Sequence, residues 1–215
     1  MLLIILLPFD MKLFIPSYTF KLLIAFCPAL FLLTFSAGIY AQTNEFSEKF
    51  SNGRIKTEGS FDEAGKKIGV WVDYYKSGDT LSVKNYVEGF FNGQNTTYYR
   101  NGNKLAEGQY VSGVPHGKFS EYDEKGRLLE VKTFNDGKLH GTLFIYFPTG
   151  QINEEINYSD GELHGPLKTY YKNGQLLSQQ QYENGQPTGE FIIYKKNGKV
   201  QSRETIENWT PNNNQ

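Results

Sequence analysis

Six glycine-marked units, each 24 residues long, run from Gly65 to Asn208 without an insertion. Gly65, Gly89, Gly113, Gly137, Gly161 and Gly185 open them, and Gly69, Gly93, Gly117, Gly141, Gly165 and Gly189 follow four residues later. A third series, Gly78, Gly102, Gly126, Gly150, Gly174 and Gly198, stands nine residues beyond the second. Tyr74, Tyr98, Tyr122, Tyr146, Tyr170 and Tyr194 share one position in all six units. Such a period marks a repeat array, in which each unit buries surface only against its neighbours. That architecture offers no obvious concave site where reactive groups could converge. The expectation is of a protein that is not an enzyme and uses no cofactor.

Two glycine turns alternate within each unit. The tip after the recurrent tyrosine reads Asn101-Gly102, Asn173-Gly174 and Asn197-Gly198, with Ser77-Gly78, Lys125-Gly126 and Thr149-Gly150 as variants. The opposite tip reads Asp136-Gly137, Asp160-Gly161 and Asn184-Gly185, with Glu88-Gly89 and Ser112-Gly113. Asn-Gly and Asp-Gly favour two-residue type I′ turns, because both central residues take positive φ. The fold class expected is all-β: an elongated antiparallel meander of tandem hairpins in one twisted sheet. Twelve or more strands, spaced about 4.8 Å apart, would extend it to about 60 Å.

Two-residue turns also set a register. They place Tyr74 opposite Leu81, Tyr98 opposite Leu105, Tyr122 opposite Leu129 and Tyr170 opposite Leu177. Across the other turn, Tyr86 meets Phe91, Phe134 meets Leu139 and Tyr158 meets Leu163. Trp71, Phe119, Leu143, Leu167 and Phe191, three residues before the tyrosine, would lie on the opposite face by strict alternation. Either both faces are partly covered, or a bulge at the Gly69-type position re-aims the strand; the glycine favours the bulge.

Residues 1–41 differ from the rest, with only Asp10, Lys12 and Lys21 as charges. A basic start at Met11-Lys12, an apolar stretch and Gly38-Ile39-Tyr40-Ala41 before Gln42 read as a signal peptide cut after Ala41, with Met11 as the initiator. The alternative is an uncleaved anchor, since residues 22–41 are long enough to span a bilayer. The protein is therefore expected in the periplasm, outer envelope or medium, or held at a membrane through this leader alone. Cys27 lies inside the leader, so the mature chain has no thiol for a disulfide or metal site. Residues 42–64 form a cap and a degenerate hairpin around Asn52-Gly53, residues 65–208 hold the six units, and residues 209–215 are a tail. Without the leader, 20 basic groups face 22 acidic ones, with signs interspersed. No basic stripe marks a nucleic-acid or anionic-membrane surface.

The unit Asp160-Gly161-Glu162-Leu163-His164-Gly165-Pro166-Leu167-Lys168-Thr169-Tyr170-Tyr171-Lys172-Asn173-Gly174 resembles the MORN repeat in its bacterial variant form. The likeness extends over residues 52–208, with Ile68, Asn92 and Thr188 replacing the histidine and Asn95 replacing the residue equivalent to Trp71. The resemblance implies a hairpin array used for contact with another protein and, in some bacterial members, an antitoxin-like role. Tyr122-Asp123-Glu124-Lys125-Gly126-Arg127-Leu128 also resembles the Tyr-Asp repeat of bacterial surface and toxin shells.

His116, His140 and His164 recur one repeat apart. That is two strands, or about 10 Å, whereas zinc needs each nitrogen within about 2.1 Å, so no metal site is expected. Asp123-Glu124 abuts a turn and Glu154-Glu155 splits between two faces, so neither makes a working acid–base pair. The tyrosine stripe remains, as a packing ladder or as a partner-binding surface of Tyr74, Tyr98, Tyr122, Tyr146, Tyr170 and Tyr194, flanked by Tyr75, Tyr99, Phe147 and Tyr171. The reading is an exported scaffold for protein–protein contact. The alternatives are a toxin-neutralising immunity protein and an envelope glycan-binding module.

Overall fold

The computed structural model describes residues 44–206, all within one compact unit. The leader and tail assignments lie outside these residues. Sixteen strands follow in chain order: β1 (Asn44–Lys49), β2 (Ile55–Phe61), β3 (Lys67–Tyr74), β4 (Thr80–Val87), β5 (Phe90–Phe91), β6 (Gly93–Tyr98), β7 (Lys104–Val111) and β8 (Val114–Tyr122). Then come β9 (Leu128–Asn135), β10 (Lys138–Leu139), β11 (Gly141–Tyr146), β12 (Ile152–Ser159), β13 (Glu162–Tyr170), β14 (Leu176–Glu183), β15 (Gln186–Tyr194) and β16 (Val200–Ile206). They form one antiparallel sheet in sequence order, with β1 and β16 at its two ends. The short β5 and β10 lead into β6 and β11 and pair with β4 and β9. The meander expected from the glycine spacing is the observed fold.

The two kinds of tip are chemically different, which corrects part of the turn reading. Glu88, Ser112, Asp136, Asp160 and Asn184 take φ of 46–52° and each precedes a positive-φ glycine, as type I′ requires. After the tyrosines only the glycine is left-handed, and Gly78 N–H donates to Tyr75 O while Tyr75 N–H donates to Asp79 O. These are three-residue loops, a type I turn followed by a glycine bulge. The extra residue shifts the register by one, so Tyr74 pairs with Thr80, Tyr98 with Lys104, Tyr122 with Leu128 and Tyr170 with Leu176. The leucine of the expected pairing is the bulged residue. Across the I′ turns, Tyr86–Phe91, Phe134–Leu139 and Tyr158–Leu163 pair as expected. The loop at Gly65 is also of the three-residue kind, with Asp62 N–H donating to Lys66 O. That added residue sets Gly53 twelve residues before Gly65, whereas Gly78 and its equivalents stand eleven before the next turn glycine.

A bulge does occur near the second glycine, and it is wide. Gly108 pairs with Phe119 and Tyr110 with Pro115, so Gln109 alone faces His116, Gly117 and Lys118. Asn157 and Gln180 face three residues in the same way. In two repeats the irregularity interrupts the strand, separating β5 from β6 and β10 from β11. In β3 it takes in Gly69, Val70 and Trp71 opposite Gly59, yet three residues against one leave the alternation between Trp71 and Tyr74 intact. Both faces are therefore partly covered, contrary to the re-aiming that the glycine suggested.

On one face, rings form a chain from Phe46 through Phe61, Trp71, Tyr86, Phe91, Tyr110 and Phe119 to Phe134, with centroids 4.9–6.1 Å apart. Each such contact contributes about 0.5–1.5 kcal/mol beyond simple burial. Trp71 and Phe119 lie flat on Gly59 and Gly108, where a methyl group would overlap the ring. Trp71 is 3% exposed, and only Leu143 and Ile192 join it as buried apolar side chains among the described residues. A one-layer sheet has no second layer to close a core. Stability must come from contacts between neighbouring strands.

Two repeated clips add to that coupling. The turn glycines Gly89, Gly113, Gly137, Gly161 and Gly185 donate N–H bonds of 2.7–2.9 Å to Lys67, Phe91, Pro115, Leu139 and Leu163. At the other margin, the phenols of Tyr75, Tyr99 and Tyr171 donate to the carbonyls of Tyr98, Tyr122 and Tyr194 at 2.7–2.9 Å. Each clip joins one repeat to the next.

Candidate functional site

Alternation along β3 sends Trp71 and Asp73 to one face, Val72 and Tyr74 to the other. The six recurrent tyrosines thus form a stripe on the face opposite the aromatic chain. All six are half-buried. Their rings do not stack into a ladder; of the six, Tyr146 alone contacts another ring, that of Phe144 at 6.4 Å. The stripe instead alternates in chemistry. Tyr74 donates to Glu58 Oε1 at 2.5 Å and Tyr122 to Glu107 Oε1 at 2.8 Å, while Tyr170 neighbours Glu155. The equivalent neighbours of Tyr98, Tyr146 and Tyr194 are Val83, Val131 and Gln179, which offer no carboxylate. The chemical period on this face is therefore two repeats.

Electrostatics follow from these pairs. The bond to Glu58 raises the Tyr74 phenol above its ordinary value, since ionisation would set two negative charges together. Burial, and then Glu107, raises Tyr122. Burial, followed by the Glu155 carboxylate, pushes Tyr170 up to about 12. Glu107 is held below the usual carboxylate value by Lys104, 2.7 Å away, and by Tyr122, against a smaller effect of burial. On the opposite face burial pushes Asp73 up, but bonds from Lys84, Ser82 and Thr57 together hold it low. These are closed partnerships: each polar group has its mate.

Exposed apolar groups gather at the I′ margin. Val87 and Phe90 flank one turn and Val111 and Val114 the next, at 51%, 58%, 53% and 41% exposure. Phe90 approaches Gly113, the glycine between Val111 and Val114, so the two apolar pairs adjoin across consecutive turns. Sequence reading passed over this patch; its signal was the run of apolar residues beside turn glycines in only two of the six units.

His116 is exposed and lies 3.6 Å from Asp136. Among the described residues no three His, Cys, Asp or Glu side chains gather as metal ligands. Asp123 is engaged by Arg127, whose Nε lies 2.7 Å away, and closes its own turn. Glu155 faces Lys168 at 3.5 Å on the tyrosine face, and Glu154 points to the other face.

A sheet built by repeating one hairpin, with neighbour-to-neighbour clips, defines the class: this is a tandem β-hairpin repeat protein. Residues 91–112, 139–160, 163–184 and 187–208 each match the family described as MORN repeat variant. The chain is a member of that family. The units at Gly65 and Gly113 lie largely outside these four matches yet continue the same strand order. No curated protein matches the sequence.

Proposed function

We propose that the protein is an exported, non-catalytic scaffold that binds another protein along its sheet. One observation carries the reading: the sheet is a single layer that leaves a half-buried tyrosine stripe and an exposed four-residue apolar patch. Contiguous exposed apolar surface rimmed by polar groups is characteristic of interaction sites. Aromatic residues there supply contact area with few rotatable bonds. The apolar segment before Gln42 supports export. The test combines crosslinking of the purified protein to its partner with substitution of Tyr98, Tyr146, Phe90 and Val111. The reading expects at least one of these to lower partner capture tenfold at unchanged thermal midpoint. Capture that none of them affects would overturn it. Cell fractionation with N-terminal sequencing tests export, and a cytoplasmic chain retaining residues 11–41 would refute that part.

A further inference from the structure

Charges that are interspersed along the chain are sorted by the fold. Successive turns of a meander fall on alternate margins, so every second turn adds its charges to the same side. The seven loops of the tyrosine margin (residues 50–54, 75–79, 99–103, 123–127, 147–151, 171–175 and 195–199) hold nine lysines and arginines against three acids. The six turns of the opposite margin (residues 62–66, 88–89, 112–113, 136–137, 160–161 and 184–185) hold five acids against one lysine. The basic stripe that the linear sequence did not show thus exists once the turns are brought into line. It is densest in the last two loops, where Lys172, Lys195, Lys196 and Lys199 are exposed and no acid accompanies them.

These charges lack counter-ions. On the strands, Lys56, Lys84, Lys104, Lys132, Lys168 and Arg203 each meet a carboxylate at 2.7–3.5 Å. In the loops of the basic margin only Arg127 does, with Asp123. The other eight cations there make no ion pair among the described residues. The sheet sets their spacing, since successive loops stand two strands apart, about 9.6 Å. The last two loops are also tied to each other. Tyr171 donates its phenol to Tyr194 O at 2.8 Å, and Lys196 Nζ lies over the Tyr171 ring, 5.7 Å from its centre.

Charge and spacing point to one occupant. A polyproline-II segment has three residues per turn and rises about 3.1 Å per residue, so every third side chain points the same way at intervals of about 9.3 Å. That interval matches the separation of the loops. Unfolded and proline-rich chains favour this conformation. We propose that Lys172, Lys195, Lys196 and Lys199 bind an extended acidic segment of the partner protein, with a carboxylate at every third residue. The inference rests on the scaffold reading and adds where, and by what chemistry, the partner is anchored. A flat anionic bilayer fits the row less well, because adjacent strands turn by about 20–25° and carry successive loops out of one plane. Nucleic acid is set aside by the export that the same reading includes.

The purified full-length chain is titrated with a peptide of four Glu-Pro-Pro triplets and, separately, with a peptide of the same composition whose glutamates are adjacent, followed by ¹H–¹⁵N NMR. Saturable shifts confined to residues 171–175 and 195–199, weakening as salt rises, are expected, with the spaced peptide bound more tightly. Lys172→Gln, Lys195→Gln, Lys196→Gln and Lys199→Gln combined in one chain should weaken binding about tenfold at an unchanged thermal midpoint. Lys66→Gln, on the opposite margin, should leave it unchanged. Equal binding of the two peptides, or affinity kept in the combined variant, would sink the acidic segment. Tighter binding of a thymidine oligonucleotide or of phosphatidylglycerol vesicles through the same lysines would overturn the choice of occupant. Capture of the crosslinked partner separates the two readings: capture kept by the combined variant but lost in Tyr98→Ala or Phe90→Ser removes the acidic segment and leaves the scaffold standing.

Discussion

Gly108→Ala separates two physical effects that pull in opposite directions. Gly108 is not among the positive-φ residues, so alanine can adopt its backbone without strain. On backbone grounds alone the change stabilises by about 0.4–1 kcal/mol, through the unfolded chain. The added methyl, however, would overlap the Phe119 ring. Phe119 must then leave its seat, where it meets Tyr110 edge-on at 5.3 Å and Phe134 at 4.9 Å. Two such contacts are worth about 1–3 kcal/mol together. The net expectation is destabilisation by about 1–2 kcal/mol. In a Phe119→Ala background the ring is gone and the sign should reverse, to a gain of about 0.4–1 kcal/mol. Urea unfolding followed by far-UV circular dichroism on all four members of the cycle gives the coupling. Gly108→Ala stabilising in both backgrounds, or a coupling within about 0.3 kcal/mol of zero, would refute the ring-on-glycine account.

The phenol clips give a second case. Phe147 stands where Tyr75, Tyr99 and Tyr171 clip the next repeat, so Phe147→Tyr should add a bond to the Tyr170 carbonyl and stabilise by about 1 kcal/mol in the same urea assay; no gain would count against the clip. Ser112 holds a left-handed turn position at φ 50°, and Ser112→Asn should raise stability by a few tenths of a kcal/mol, read as a higher thermal midpoint. Glu107 is depressed below its ordinary 4.5 in the folded chain, so its contribution is present above that value and fades as pH falls through the folded one. Tyr122→Phe should reduce this acid sensitivity in denaturation between about pH 5 and pH 3, the range of carboxylate titration; an unchanged profile would remove the proposed link. Tyr170 is raised, so its contribution holds below the ordinary 10.0 and fades toward about 12. Absorbance titration should lose one late-ionising phenol in Tyr170→Phe, and an identical curve would contradict the assignment.

Glycine spacing made the strand order, both series of tips and the pairing across the I′ turns legible, because a turn glycine fixes chain direction locally. The same dipeptides misled at the other tips. Asn101-Gly102 suits a two-residue I′ turn, but it equally suits a type I turn ending in a left-handed glycine, and Asn101 Oδ1 accepting the Asn103 N–H at 3.0 Å stabilises the latter. One loop residue then moved every tyrosine–leucine pairing by one. The positive-φ glycine at Gly69 signalled a real irregularity, yet the bulge adds an even number of residues, so Trp71 and Tyr74 keep the faces that simple alternation assigns them. Site chemistry was less visible. Glu107 and Tyr122 lie 15 residues apart in sequence and become partners only once strand register is known. The alternation of such pairs over two repeats is in the sequence, but the shorter 24-residue glycine period hides it. Asn95 was visible as a departure, but its bond from the Asn85 N–H appears only once the strands are paired.

The open ladder itself is tested by distances along one margin. Spin labels at the exposed tip positions Lys76, Glu124, Lys172 and Lys196, introduced in pairs into a Cys27→Ser chain, report them by double electron–electron resonance. Successive tips lie two strands apart, so Lys76 to Lys172 should measure about 38 Å and Lys76 to Lys196 about 48 Å. Separation that grows with every repeat is the predicted result. A Lys76–Lys196 distance shorter than Lys76–Lys172 would mean that the sheet closes on itself, and would contradict the account.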